Sequence, residues 1–139
     1  MTYRCFSSAH ARYLLDWADT WAHPDAHGNR KAHQTSDLWR VLVTEIQGAH
    51  EQQKPLSGLI ADIEKCYNCL PRYPILAAAL HCGVPFEVVK AWSGALAGME
   101  RRFKIRDSFS GACTTSTGLA EGCALSCFGM LLMDDILHR

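Results

Sequence analysis

Residues 59–72 read Leu-Ile-Ala-Asp-Ile-Glu-Lys-Cys-Tyr-Asn-Cys-Leu-Pro-Arg, an apolar run that carries one acid, Asp62, into a half-polar segment. Leu59, Ile60 and Ala61 read as a short buried strand, and alternation with a period of two then puts Asp62, Glu64 and Cys66 on one face. Pro71 and Pro74 stop that strand, because proline lacks the ladder donor and suits the first turn of a helix. The remainder of the chain has to be arranged around this change from strand to helix.

With 139 residues the chain is long enough for one domain with its own core, and its 48% hydrophobic content is that of a globular protein. Its 14 basic and 14 acidic residues cancel, so no global field steers it to nucleic acid or to a membrane. Seven cysteines are an odd number, and no apolar leader segment follows Arg4; a reduced, intracellular setting is expected. The uncharged run at residues 122–133 spans 12 positions, short of the ~20 needed to cross a bilayer, so no membrane association by a spanning helix is expected.

Tyr3-Arg-Cys-Phe6 reads as a strand, after which Ala11, Leu14, Leu15 and Ala18 repeat at helical spacing up to Pro24. A polar loop over residues 23–35 leads to a helix capped by Thr35 or Ser36, with Asp37 in its first turn and Leu38, Leu42, Ile46 and Ala49 as its buried stripe. A short helix from Ile75 stops at Gly83, a left-handed cap. The next starts at Pro85 and carries Val88, Val89, Trp92, Leu96, Met99 and Phe103 on one face for five turns. Residues 107–118 suit a hairpin or loop, and residues 123–137, apolar on nearly every side until Asp134, form a buried helix. The fold class expected is α/β (α+β), helix-rich with few short strands.

Three motifs carry a resemblance. Asp62-Ile-Glu-Lys-Cys-Tyr67 resembles the first catalytic motif of reverse transcriptases, especially those of non-LTR retrotransposons and group II intron-like elements. In that motif an aromatic residue follows the aspartate by five positions. Gly118-Leu-Ala-Glu-Gly-Cys-Ala-Leu-Ser126 is similar to the family's next motif, Gly-x-x-Gln-Gly-Cys-x-Leu-Ser. Gly28, Arg30, Thr35 and Asp37 match the fingers motif without a gap, and Tyr3-Arg4 is similar to the start of the fingers.

The resemblance implies fingers-like residues 1–58 and palm-like residues 59–139, without a thumb. It implies an RNA-directed DNA polymerase acting on an RNA template, a DNA primer and dNTPs with Mg²⁺. Asp62 would bind Mg²⁺ with the carbonyl of Ile63, and Tyr67 would exclude a 2′-hydroxyl from beneath the incoming sugar. Glu121 and Gly122 would approach the nascent pair and template, and Arg30, Lys31 and Arg4 would face the triphosphate or template. One ion would activate the primer oxygen and a second would support the leaving pyrophosphate.

Two departures accompany it. Glu121 replaces an amide with a carboxylate that only accepts hydrogen bonds when ionised. The sequence ends before the aromatic-x-Asp-Asp motif, and Met133-Asp134-Asp135, eight residues after Ser126 to its first aspartate, lies inside a helical segment. The chain is therefore expected to be inactive in isolation, and the alternative is a non-catalytic remnant serving as a protein- or nucleic-acid-interaction module.

Other clusters have their own readings. Cys66, Cys69, His81 and Cys82 are candidate zinc ligands, although adjacent residues 81 and 82 leave a helix in different directions, and buried free cysteines are the commoner outcome. His23, His27 and His33 form a second candidate group or a set of solvated loop histidines. Arg101, Arg102, Lys104 and Arg106 are either a grip for nucleic-acid phosphate or the solvated basic end of a helix. Cys123 and Cys127, one turn apart, are expected in the core.

Overall fold

The computed structural model describes residues 2–138. Its centre is the apolar helix at the C-terminal end, Ala124–His138, here α6. A helix apolar on most sides has to be enclosed, and three others enclose it. These are α1 (Thr2–Ala18), α4 (Arg72–His81) and α5 (Phe86–Ala97). Leu125, Phe128, Leu131 and Leu132 of α6 pack with Ala11, Leu14 and Ala18 of α1, Ile75 and Ala79 of α4, and Val89, Trp92 and Leu96 of α5 in one cluster.

Backbone proximity at the centre depends on Gly129. A methyl group there would lie 2.8 Å from Leu119 Cδ1 and 3.3 Å from both Ile75 Cγ2 and the Trp92 ring, closer than packed carbons normally approach. The α4 terminus follows from Gly83, whose φ of 102° closes a paired cap. Its amide donates to Leu80 at 3.0 Å while that of Val84 donates to Ala79 at 2.9 Å, and Val84 is buried beneath the turn.

Several local expectations are corrected. Tyr3-Arg-Cys-Phe6 is helical and belongs to α1, because Tyr3, Ser7, Ala11, Leu14 and Ala18 continue one face at helical spacing. That helix ends at Ala18, before Pro24, and the chain then turns with amides of Trp21 and Ala22 on the Ala18 carbonyl. α2 (Thr35–Glu51) starts one residue early, with Gln34 as its cap; the Gln34 amide donates to the Asp37 carboxylate at 2.9 Å. Its stripe is not buried: no α2 residue is, and Leu38, Leu42 and Ile46 face solvent.

Leu59-Ile-Ala61 is not a strand. Leu59 and Ile60 are 91% and 94% exposed, and no partner strand reaches them among the described residues, so their backbone groups have no ladder to join. The shared face expected for Asp62, Glu64 and Cys66 disappears with it. α3 is the single turn Cys66–Cys69. Finally, α5 ends at Ala97 rather than running to Phe103, at a point where Gly94 and Gly98 both weaken the helix. The released residues form two antiparallel ribbons, β1 (Glu100–Arg101) with β4 (Cys113–Thr114) and β2 (Lys104–Ile105) with β3 (Ser108–Phe109). The result is a helix-rich α+β domain with few short strands.

A candidate site where the motif segments meet

The segment after α3 and the loop before α6 are clasped by backbone bonds. The Leu119 amide donates to the Tyr67 carbonyl at 2.7 Å, and the Gly118 amide to the Leu70 carbonyl at 2.8 Å. Gly118 has a φ of 83°, and a methyl group on it would sit 2.5 Å from the Asn68 carbonyl oxygen. Only glycine fits that turn and that approach. Residues 62–67 and 118–126, more than a third of the chain apart in sequence, are thereby neighbours.

Arg72 fixes the other side of the clasp. Its guanidinium donates to the carbonyls of Gly118 at 2.8 Å, Leu96 at 2.8 Å and Thr117 at 3.1 Å, and to Thr115 Oγ1 at 3.0 Å. Burial, and then the nearby charge of Arg101, lower its pKa. Sequence reasoning passed over Arg72, because a lone basic residue after Pro71 carries no spacing signal for partners more than 20 positions away.

A polar relay runs across the outer edge. Arg101 donates to Asn68 Oδ1 at 2.7 Å, and the Asn68 amide donates to the Glu121 carboxylate. The carboxylate that stands in place of an amide is therefore met by an amide from α3. Lys65, Asn68, Arg101, Arg102, Phe103 and Glu121 line an open groove of about 710 Å³. The basic cluster is divided at this point: Arg101 and Arg102 border the groove, Lys104 Nζ lies 5.8 Å above the Phe109 ring, and Arg106 occupies the β2–β3 turn.

Tyr67 joins the third segment. Burial raises its phenol pKa, the neighbouring thiols of Cys127 and Cys66 add to the shift, and a hydrogen bond with Asn29 opposes it. Asn29 belongs to the Gly28–Asp37 stretch, which thus reaches Tyr67. Arg30 of the same stretch points elsewhere: its Nε pairs with Asp19 at 2.9 Å, and it donates to the carbonyls of His23 and Ala26. This guanidinium holds the loop after α1 together. Lys31 is exposed. Arg4 and Gly122, remote in sequence, border a second pocket of about 400 Å³.

Asp62 and Ile63 are exposed in the irregular segment before α3. Asp62 is near enough to Cys66 for its charge to contribute, after burial and Cys69, to a raised thiol pKa there. The Asp62 carboxylate and the Ile63 carbonyl are oxygen donors of the kind Mg²⁺ accepts, and one carboxylate does not build a two-metal centre. Among the described residues, no three His, Cys, Asp or Glu side chains gather as a metal-binding group.

Cys66 sulfur contacts Met130 sulfur at 3.2 Å, while His81 and Cys82 border a different pocket with Trp21 and Asp135. His27 and His33 approach through their Nδ1 atoms at 3.0 Å, whereas His23 stacks on His138. Asp135 is buried in α6 and accepts the His23 amide at 2.8 Å.

Fold and site together define a helix-rich α+β domain with a mixed-charge groove at the junction of α3, β1 and the loop before α6. No protein-family description, curated protein or solved structure significantly matches the chain. Among the described residues, no helix is long and apolar enough to cross a membrane.

Proposed function

We propose that the chain is the fingers-like and palm-like part of a reverse-transcriptase-like polymerase, with residues 1–58 and 59–139 in those roles. The observation that carries this reading is the convergence of the three motif segments on Tyr67: Leu119 on its carbonyl, Asn29 on its side chain, and Asn68 beside it bonded to Glu121. In this role Tyr67 would support the sugar of an incoming dNTP, and Gly122 and Glu121 would face the nascent pair. Arg101, Arg102 and Lys65 would hold phosphates of the RNA template or DNA primer. Arg4 and Lys31 would meet the triphosphate, while Arg30 shapes the loop that carries Lys31.

Asp62 and the Ile63 carbonyl would share Mg²⁺ with the triphosphate, and the bound ion would supply charge compensation for nucleotidyl transfer. With one carboxylate in that set, the isolated chain is expected to bind template and nucleotide without extending a primer. Titration of labelled RNA–DNA primer-template and of dNTP, with and without Mg²⁺, tests this. Mg²⁺-dependent dNTP binding that is lost in Asp62→Asn supports the proposal.

A specific observation favours a second reading. α2 carries Leu38, Trp39, Leu42, Val43 and Ile46 on its surface and buries none of its residues. A non-catalytic interaction module would use that face. Failure to bind both primer-template and dNTP would leave this reading in place of the polymerase.

A further inference from the structure

The pocket that holds Arg4 and Gly122 also holds two thiols. Cys123 and Cys127 line it together with Ser7, Ser8 and Ala124. Cys123 is 9% exposed and meets the Tyr3 hydroxyl at 3.3 Å. Ser7, itself buried, lies on the same side of α1. The sulfur therefore sits between the Tyr3 hydroxyl of α1 and the start of α6; the Ser7 hydroxyl beside it donates to the Arg4 carbonyl at 3.0 Å, and Arg4 lines the same pocket. Cys127, half-buried, sits one helical turn further along α6 and borders Tyr67.

Such surroundings favour sulfur as an anion. Burial alone would push the Cys123 pKa up, but hydrogen bonding, first of all with the Tyr3 hydroxyl, outweighs it and brings the thiol below its ordinary value. Tyr3 shifts in the complementary direction: burial first, then the bond to Cys123, raise its pKa and keep the phenol protonated as a donor. Among the described residues, Tyr3 of α1 contacts this sulfur, and Arg4 of α1 and Cys127 of α6 line the same pocket.

We propose that Cys123 is a site of oxidation by hydroperoxides, with Cys127 as its resolving thiol. The Cys123 thiolate attacks the terminal (OH) oxygen of the hydroperoxide; an S–O bond forms, the O–O bond breaks, and the displaced hydroxide (or alkoxide, from an organic hydroperoxide) takes a proton from solvent. Sulfur gives up two electrons, and the peroxide is reduced. Cys127 sulfur then attacks the sulfenic sulfur, forming S–S as S–O breaks, and hydroxide leaves as water with the Cys127 proton. Side chains four apart on a helix have Cβ atoms roughly 5–6 Å apart. A disulfide requires about 3.5–4.5 Å, so the bond needs a small shift. Cys123 precedes the first residue of α6, so the shift falls on the end of the helix rather than its interior.

The test is hydrogen peroxide treatment of the reduced full chain, with dimedone trapping and peptide mass spectrometry. The wild type is expected to yield a Cys123–Cys127 disulfide, and Cys127→Ser a dimedone adduct at Cys123. Tyr3→Phe is expected to slow Cys123 oxidation severalfold and move its pH profile upward, which loss of packing alone would not do. Adducts confined to the exposed Cys5 and Cys69, with Cys123 still reduced in folded protein, would overturn the site. A Cys123 sulfenate that persists in the wild type would overturn the resolving role.

Discussion

The amide of Leu119 donates to the carbonyl of Tyr67 at 2.7 Å, across more than a third of the length of the chain. Leu119 is fully buried against Gly129, so this bond fixes the depth at which the loop before α6 sits. The outer groove, the Tyr67 environment and the thiol pocket all inherit their geometry from it.

Gly118→Ala tests the clasp. The substitution forces a side chain into a left-handed φ and against the Asn68 carbonyl. A loss of about 1–3 kcal/mol is expected in urea unfolding, and Gly111→Ala, with open space around it, serves as the control.

Arg72→Met removes four hydrogen bonds while keeping most of the apolar stem. It leaves the Leu96, Thr117 and Gly118 carbonyls to find new partners, and the expected loss is about 2–3 kcal/mol by the same measurement. Arg72→Lys should recover only part of it, since an ammonium cannot span the fork.

The exposed face of α2 predicts the opposite behaviour. Trp39→Gln and Leu42→Gln should change stability by no more than about 0.5 kcal/mol, because neither side chain packs into the core. Trp92→Ala, at 1% exposure, should cost about 3–5 kcal/mol. Equal losses from the two helices would mean that α2 is covered in solution.

Alkaline pH should destabilise the fold. The pKa values of Tyr3, Tyr67 and Cys66 are all raised by burial first, so the folded state resists their ionisation. Their contribution is complete below the unfolded values of 9.0 for Cys66 and 10.0 for the tyrosines, and is lost as pH rises beyond them. Cys123, lowered, has the reverse sign: it favours folding above its unfolded value and loses that contribution as pH falls through its folded one. Thermal unfolding from pH 8 to 11 should show a falling midpoint, with a smaller fall in Tyr3→Phe.

If the outer groove holds phosphate, Arg101→Gln and Arg102→Gln should each weaken primer-template binding across sequences. Each should reduce the slope of log affinity against log salt by about 1. Arg106→Gln, away from the groove lining, should change it less.

Helices whose apolar spacing ends at a clear stop could be recognised from the residues alone. Ile75 through Gly83 and the run before His138 are of this kind, since local spacing and cap chemistry decide them. Leu59-Ile-Ala61 misled because a short apolar run looks the same whether or not a neighbouring strand exists. The α2 stripe misled for a related reason: amphipathicity reports a face that can be buried, and burial needs a partner surface. At the site, motif spacing picked out Tyr67, Gly122 and Arg4, which lie on the faces where segments meet. The bonds of Arg72 and the Asn68 link between Arg101 and Glu121 had no local trace, because they join residues brought together only by the folded core.

The absence of any buried residue in α2 separates its fate from that of the α6-centred core. A helix of 17 residues is near the limit at which isolated helices persist in water, and its Gln34–Asp37 cap adds little more than one hydrogen bond. Its amides should therefore exchange with solvent deuterium through local opening, while those of α6 wait for the whole domain to unfold. Protease cleavage between residues 52 and 64 should accordingly occur without global unfolding, but because it severs α1 from the helices it packs against, it should lower the stability of the core and make it depend on concentration.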